Sequence, residues 1–139
     1  MQSKIITVTR TDQIRLNELL DSEWIVAIGG QRPHLHALRE KLADANVVDS
    51  CEMQPDIVTM NSTIYLKDLD RNTLDVYTLV YPAEACIAEG KLSILSPLGT
   101  AVFGSGVGET LTLQVLQNQS HKQIKRLSFQ PERVGAFNL

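Results

Sequence analysis

Two carboxylates, Asp21 and Glu23, stand close together just after a run of leucines. A pair of carboxylates could hold a Mg²⁺ ion that polarises water for phosphodiester hydrolysis. Residues two positions apart do not share a face of a helix, and an exposed acid at a helix end is usually only solvated. We therefore assign no catalytic role to this pair and keep metal-assisted hydrolysis as the alternative.

The histidines and cysteines are spaced poorly for metal binding. His34 and His36 are two residues apart, so they would point to different sides of a helix. Cys51 and Cys86 form no CxxC pair and have no neighbouring base, which predicts inert thiols. The sequence thus predicts neither a metal nor a cofactor.

The composition is that of a folded chain with a small acidic excess. Hydrophobic residues make up 43% of the 139 residues, and the net charge is −3. The whole acidic excess lies in residues 1–56, so direct nucleic-acid binding by phosphate neutralisation is not expected. No apolar run approaches roughly 18 residues and no basic-then-apolar leader is present, which predicts a cytoplasmic protein without membrane contact.

Two runs with helical spacing, residues 12–21 and 34–45, predict two helices. The repeating side chains are Leu16, Leu19 and Leu20 in the first run and Leu35, Leu38 and Leu42 in the second. Asp12 is predicted to favour the first turn electrostatically. Joined across Gly29-Gly30, the helices are predicted to form a short antiparallel hairpin. The tip of this hairpin carries Asp21, Glu23 and Trp24.

Trp24 and the apolar residues that follow it make the hairpin tip unusual. Such a loop packs back against the rest of the protein, is exchanged within a dimer, or forms a contact surface. Packing is the interpretation that we favour, because large apolar side chains are mostly buried.

From residue 57 onward, after a linker at residues 46–56, the pattern changes to strands. Alternating segments rich in β-branched residues occupy residues 57–61, 63–69, 74–81, 110–116 and 123–129. Turns are predicted at residues 70–72 and 117–120. The last strand carries a small basic group, predicted to be a solvated sheet edge, at His121, Lys122, Lys125 and Arg126. The fold class is therefore α+β: a helical hairpin in residues 1–50 and a mostly antiparallel sheet with one packed helix in residues 51–139.

The stretch GKLSILSPLGTAVFGSGVGE, residues 90–109, predicts a strand that ends in a capped helix. Ser96 can accept a hydrogen bond from an amide of the first turn, and Pro97 suits the first helical position. Exposed rigid loops carry function more often than cores do. The corner at Ser96, Pro97, Leu98 and Gly99 is therefore predicted to bind a partner.

The combination VTMNS, LVYP, SPLG and VGE resembles the C-terminal domain of the Gre-type bacterial transcription elongation factors. Over about residues 55–130 it looks most like the branch of the regulators of nucleoside diphosphate kinase. The resemblance implies an FKBP-like C-terminal domain that docks on RNA polymerase at the rim of the secondary channel. It also implies an N-terminal coiled coil, which is short in this branch and belongs to a competitor of the cleavage factors.

In the family, the docking loop corresponds to the corner at Ser96 and Pro97. The cleavage factors often carry an acidic residue or asparagine before that pair, where this chain has Leu95. The resemblance therefore implies a non-enzymatic regulator of transcription elongation whose partner is bacterial RNA polymerase. Contact with nucleic acid would be only indirect, through the polymerase, and no small-molecule substrate is implied.

Two alternatives stay open at the level of sequence. The first is an active transcript-cleavage factor that uses the carboxylates of the hairpin tip. The second is an FKBP-like peptidyl-prolyl isomerase, which needs an aromatic pocket for the proline. The aromatic residues available to the sheet domain are Tyr65, Tyr77, Tyr81, Phe103 and Phe129. Because a fold does not determine a function, we rank the isomerase last.

Overall fold

Two helices near the start of the chain precede a five-stranded sheet in the structure, a computed structural model that describes residues 5–22, 33–115 and 118–136. In chain order the elements are β1 (Thr7–Thr9), α1 (Arg10–Leu20), α2 (Pro33–Asp44), β2 (Asn46–Val48), β3 (Thr63–Asp68), β4 (Thr73–Val80), β5 (Lys91–Ser93), α3 (Pro97–Val102), β6 (Thr110–Val115) and β7 (Asn118–Phe129). The predicted α+β class is confirmed.

The helices α1 and α2 form where the leucine spacing predicted helices. Thr9 caps α1, because its side-chain oxygen accepts a hydrogen bond from the Asp12 amide at 3.0 Å. Pro33 opens α2, where its missing N–H costs nothing. The buried face of the pair is made of Leu16, Leu20, Leu35, Leu38 and Leu42. The joining segment, with Glu23 and Trp24, lies outside the described residues.

The sheet has the strand order β5-β4-β3-β7-β6 and is mixed. The pairs β3–β4, β3–β7 and β6–β7 are antiparallel, with Ile64 opposite Tyr77 and Leu127. The strand β5 instead runs parallel to β4, so the expected antiparallel sheet is wrong at this pair. The reason is that residues 81–90 form a crossover with two short 3-10 turns, and Gly90 at φ 75° starts β5 in the direction of β4.

Three shorter segments also differ from expectation. Residues 57–61, predicted as a strand, form only one bridge, Ile57 with Gly106, and the chain bends at Asn61, whose φ is 65°. Residues 46–48, placed in a linker, form β2 and pair in parallel with β1. A strand of three residues is too short for an alternating pattern to reveal it.

The strand β7 is longer and more central than predicted. It begins at Asn118, opposite Val115, so the predicted turn at residues 117–120 is wrong for residues 118–120. Because β7 lies between β3 and β6, its basic side chains are not at a sheet edge. Lys122 forms an ion pair with Asp68 at 3.2 Å, and the Arg126 guanidinium stacks over Tyr65.

One continuous cluster of buried side chains joins the helices to the sheet. Its most deeply buried side chains are at most 1% exposed. They include Leu16 and Leu38 from the helices, Ile64 and Ile124 from the sheet, and Phe103 directly after Val102. The helix pair is thus held against the sheet by shared apolar burial. Among the described helices, none is both long and apolar enough to cross a membrane.

Candidate partner-binding corner

The corner between β5 and α3 is built by hydrogen bonds that the Ser-Pro pair makes possible. Ser96 adopts the extended conformation of an N-cap residue, and its hydroxyl oxygen accepts from the Gly99 amide at 3.0 Å. The same hydroxyl donates to the Ser93 carbonyl oxygen at 2.7 Å. The Thr100 hydroxyl donates to the Pro97 carbonyl oxygen at 2.9 Å. The predicted capping of α3 is confirmed, and the corner is rigid because its side-chain hydroxyls are bonded internally.

Gly99 allows the first turn of α3 to cross the end of β5 at very short range. A Cβ atom on Gly99 would lie 2.0 Å from the Ser93 carbonyl oxygen and 3.0 Å from the Ser96 hydroxyl oxygen. The clash would be with backbone, which cannot turn aside as a flexible side chain can. Glycine is therefore needed here for space, and the buried Gly99 shapes the corner without presenting a surface of its own.

The four residues of the predicted binding corner differ in what they present to solvent. Pro97 is exposed, and Leu98 and Ser96 are half-buried. Leu98 also packs against the core cluster. With the Ser96 hydroxyl already used twice, the free surface of the corner consists of the Pro97 ring and the outer edge of Leu98. A partner would therefore meet a small apolar surface on a rigid support.

The helix α2 holds the corner from the other side. The His34 ring Nε2 donates to the Leu95 carbonyl oxygen at 2.8 Å, immediately before the Ser-Pro pair. The Lys41 ammonium donates to the Thr100 carbonyl oxygen at 2.8 Å. His34 and Lys41 are seven residues apart, so they lie on one face of α2 two turns apart. The position of α2 is thereby coupled to that of the corner, a coupling that the sequence pattern did not predict.

We expect His34→Ala to lower the free energy of unfolding by about 1–2 kcal/mol, because the partly buried Leu95 carbonyl would lose its donor. His36→Ala is the matched control, since His36 is exposed on the same helix and should change stability by less than about 0.5 kcal/mol. Urea unfolding of both variants measures the difference. Equal effects of the two substitutions would contradict a structural role for the His34 contact.

The predicted hairpin-tip residues are only partly within the described chain. Asp21 is the C-cap residue that follows α1 and is exposed, and its carboxylate pairs with the Arg39 guanidinium of α2 at 3.0 Å. This pair connects the two helices at the end away from β1. Glu23 and Trp24 lie outside the described residues, so their catalytic and packing interpretations stay predictions.

The aromatic residues considered for a proline pocket are dispersed. Phe103 is 1% exposed inside the core cluster, whereas Tyr65 lies under the Arg126 guanidinium on the sheet. The sequence could not separate them, because aromatic spacing does not reveal which face of a strand or helix a ring occupies.

Near the start of α1, the Asp12 carboxylate is buried, although the sequence pattern did not predict its burial. Asp12 is 2% exposed, and its Oδ2 accepts a hydrogen bond from the Met60 amide at 3.1 Å. Burial raises the pKa of Asp12 to about 7, and the nearby Glu132 carboxylate adds to the rise. The signal was present in the spacing, because Asp12 precedes the buried Leu16 by four residues and therefore shares its face.

Sequence comparisons find known relatives for the segment that contains the corner. A family model for the C-terminal part of the GreA/GreB transcription elongation factors matches residues 53–129. The regulator of nucleoside diphosphate kinase of Escherichia coli K12 is 30% identical over 140 residues and is covered in full, as is this chain. GreA of Chlorobium phaeobacteroides is 35% identical over 92 residues, which is 66% of this chain and 58% of that protein.

Structure comparison extends the match beyond the sheet. The prokaryotic transcription elongation factor GreA/GreB from Nitrosomonas europaea superposes with a TM-score of 0.76 at 29% sequence identity. The superposition covers 91% of this chain and the whole of that one. The likeness therefore includes the helix pair as well as the sheet that carries the corner.

Proposed function

Because the chain belongs to the GreA/GreB family, in the branch of the regulators of nucleoside diphosphate kinase, we propose that it binds bacterial RNA polymerase and regulates transcription elongation. The proposed site on the polymerase is the rim of the secondary channel. Action there needs no chemistry from this chain, since occupancy alone excludes other factors in proportion to free concentration over dissociation constant.

The observation that carries the proposal is the surface made by the exposed Pro97 and the outer edge of the half-buried Leu98, on a corner with internally bonded polar groups. A surface that is already rigid loses little conformational entropy when a partner binds it. Its apolar character favours a partner surface that buries the Pro97 ring. Ser96 and Gly99 contribute by fixing the shape of the corner.

We assign the helix pair to a short antiparallel hairpin that acts as a plug at the channel mouth. The helices have 11 and 12 residues, which gives arms of about 16–18 Å at about 1.5 Å per residue. Arms of this length favour competition with longer cleavage factors over delivery of Asp21 or Glu23 to a buried catalytic centre. The hairpin of residues 1–50 and an FKBP-like domain of residues 51–139 complete the proposed organisation of a cytoplasmic regulator.

We expect Pro97→Glu to weaken the binding of core RNA polymerase by about tenfold or more, because a charge would be buried in an apolar contact. The fold should tolerate the change, since Pro97 is exposed at the first helical position, where an acid is electrostatically favourable. Titration of labelled protein with core polymerase measures the dissociation constant.

Leu74→Glu is the matched control for that titration. Leu74 is 55% exposed, lies opposite Lys67 and sits near the end of β4 that is remote from the corner. It adds the same charge and removes an exposed apolar side chain. If Pro97→Glu and Leu74→Glu bind as the unaltered protein does, docking lies elsewhere. If the unaltered protein does not bind polymerase, the proposed function is wrong.

A further inference from the structure

We propose that the groove between α2 and the corner helix α3 binds a basic segment of a partner protein. An arginine or lysine stem would lie on the apolar floor of the groove, with its cation at Glu40 and Asp44. This site is separate from the Pro97 and Leu98 surface and does not depend on polymerase binding.

The groove has an apolar floor and holds about 410 Å³. Its floor is made by Ile6, Ala37, Ala101 and Leu111, which come from the position before β1, from α2, from α3 and from β6. Ile6 can lie this deep because it packs on Gly104, where a Cβ atom would come within 2.6 Å of the Ile6 side chain. The floor is therefore a fixed part of the fold.

Three acidic residues line the groove. Glu40 and Asp44 are exposed one turn apart on α2, and Glu109 lies just before β6. Within the described part of the chain, neither Glu40 nor Asp44 has an ion-pair partner. The proposal rests on these two residues, because Glu109 already makes an interaction of its own.

The lining of the groove carries one positive charge against three carboxylates. Lys41 is the one basic residue among those described that line it, and its ammonium is held at the Thr100 carbonyl oxygen. Asp44 is also the last residue of α2, where the helix dipole favours a cation over an acid. A cation at this point would thus be attracted by two carboxylates and by the end of the helix.

A basic side chain fits both properties of the groove at once. Arginine and lysine bury their methylene stems on apolar surface while their charged ends stay at a polar rim. A nucleic acid or an acidic peptide would instead be repelled by the rim. The occupant that the groove selects is therefore an alternating apolar and basic peptide segment.

The test uses a short synthetic peptide that alternates leucine and arginine, labelled for fluorescence anisotropy. Replacing Glu40→Gln together with Asp44→Asn should weaken its binding about fivefold, as expected for the loss of two exposed ion pairs of about 0.5 kcal/mol each. Ala37→Arg, at an exposed floor position, should block binding by placing the chain's own cation in the groove.

Asp75→Asn together with Glu84→Gln is the matched control, because both residues are exposed, lie outside the groove lining and change the net charge equally. This pair should leave the affinity unaltered, and backbone amide shifts on peptide addition should centre on Ala37 and Leu111. The proposal is overturned if the peptide does not bind. It is equally overturned if the control pair weakens binding as much as the groove pair does.

Discussion

Gly99→Ala is expected to lower the free energy of unfolding by about 3 kcal/mol or more and to disorder the corner. The added Cβ would lie 2.0 Å from the Ser93 carbonyl oxygen and 2.9 Å from its carbonyl carbon. Relief requires that α3 move away from β5, which would break the Ser96 cap and tilt the Pro97 and Leu98 surface. Urea unfolding and the polymerase titration should therefore both report a loss.

Gly106→Ala is the control that separates steric clash from loss of glycine flexibility. Gly106 is also buried, but a Cβ atom added to it would have its nearest neighbours 3.6–3.7 Å away, an ordinary contact distance. It should change stability by less than about 1 kcal/mol. If Gly99→Ala were as stable as Gly106→Ala, the close crossing of α3 over β5 would be refuted.

Asp12→Asn is expected to stabilise the protein at about pH 8 by roughly 2–4 kcal/mol and to have little effect only at about pH 3.5, below the ordinary Asp12 pKa of 3.8. The reason is that burial raises the pKa of Asp12 from its ordinary 3.8 to about 7 in the folded protein. Asparagine is neutral at both pH values and keeps an oxygen that can accept from the Met60 amide.

The sign of this effect follows from proton binding. Between about pH 4 and pH 7 the folded protein keeps the Asp12 proton that the unfolded chain has released. The contribution of Asp12 to the unfolding free energy therefore falls as pH rises through this window, and above about pH 7 the buried charge costs its full amount. The asparagine variant has no ionisable group at this position, so its stability does not fall in this way as pH rises.

Urea unfolding at the two pH values measures the Asp12 effect as a difference between variant and parent. Because the other titrating groups contribute equally to the unfolding free energies of variant and parent, the difference between the two proteins isolates the effect of Asp12. Asp75→Asn, at an exposed position on β4, should show no such pH-dependent gain. An Asp12→Asn protein that is equally or less stable than its parent at about pH 8 would contradict a buried, proton-retaining carboxylate.

Local sequence signals were enough to predict the corner. The Ser-Pro pair indicates both an N-cap and a first helical residue, and each signal depends only on residues within one turn. The leucine spacing likewise placed α1 and α2. What these signals could not give was the contact of His34 with the Leu95 carbonyl, because the two residues are 61 positions apart in the chain.

Non-local geometry accounts for the remaining differences. The parallel pairing of β5 with β4 depends on the path of residues 81–90, whose short turns leave no periodic signal. Residues 57–61 have strand-like composition, but Val58 bonds across to Ser105 and Gly104 instead of joining a ladder. The apolar groove beside α2 is formed by residues from α2, α3 and β6 together with Ile6 before β1, so no single stretch of sequence reveals it.

The most direct measurement of the central claim is transcript cleavage by a GreA-type factor on stalled elongation complexes, with increasing amounts of this protein added. We expect the cleavage rate to fall in a saturable way, with the Pro97→Glu protein needing about tenfold more to reach the same inhibition and the Leu74→Glu protein matching its parent. Without the cleavage factor, the protein alone should leave the transcripts intact. A cleavage rate that does not change, or efficient cleavage by the protein alone that is lost on Asp21→Ala, would contradict a regulator that acts by occupancy.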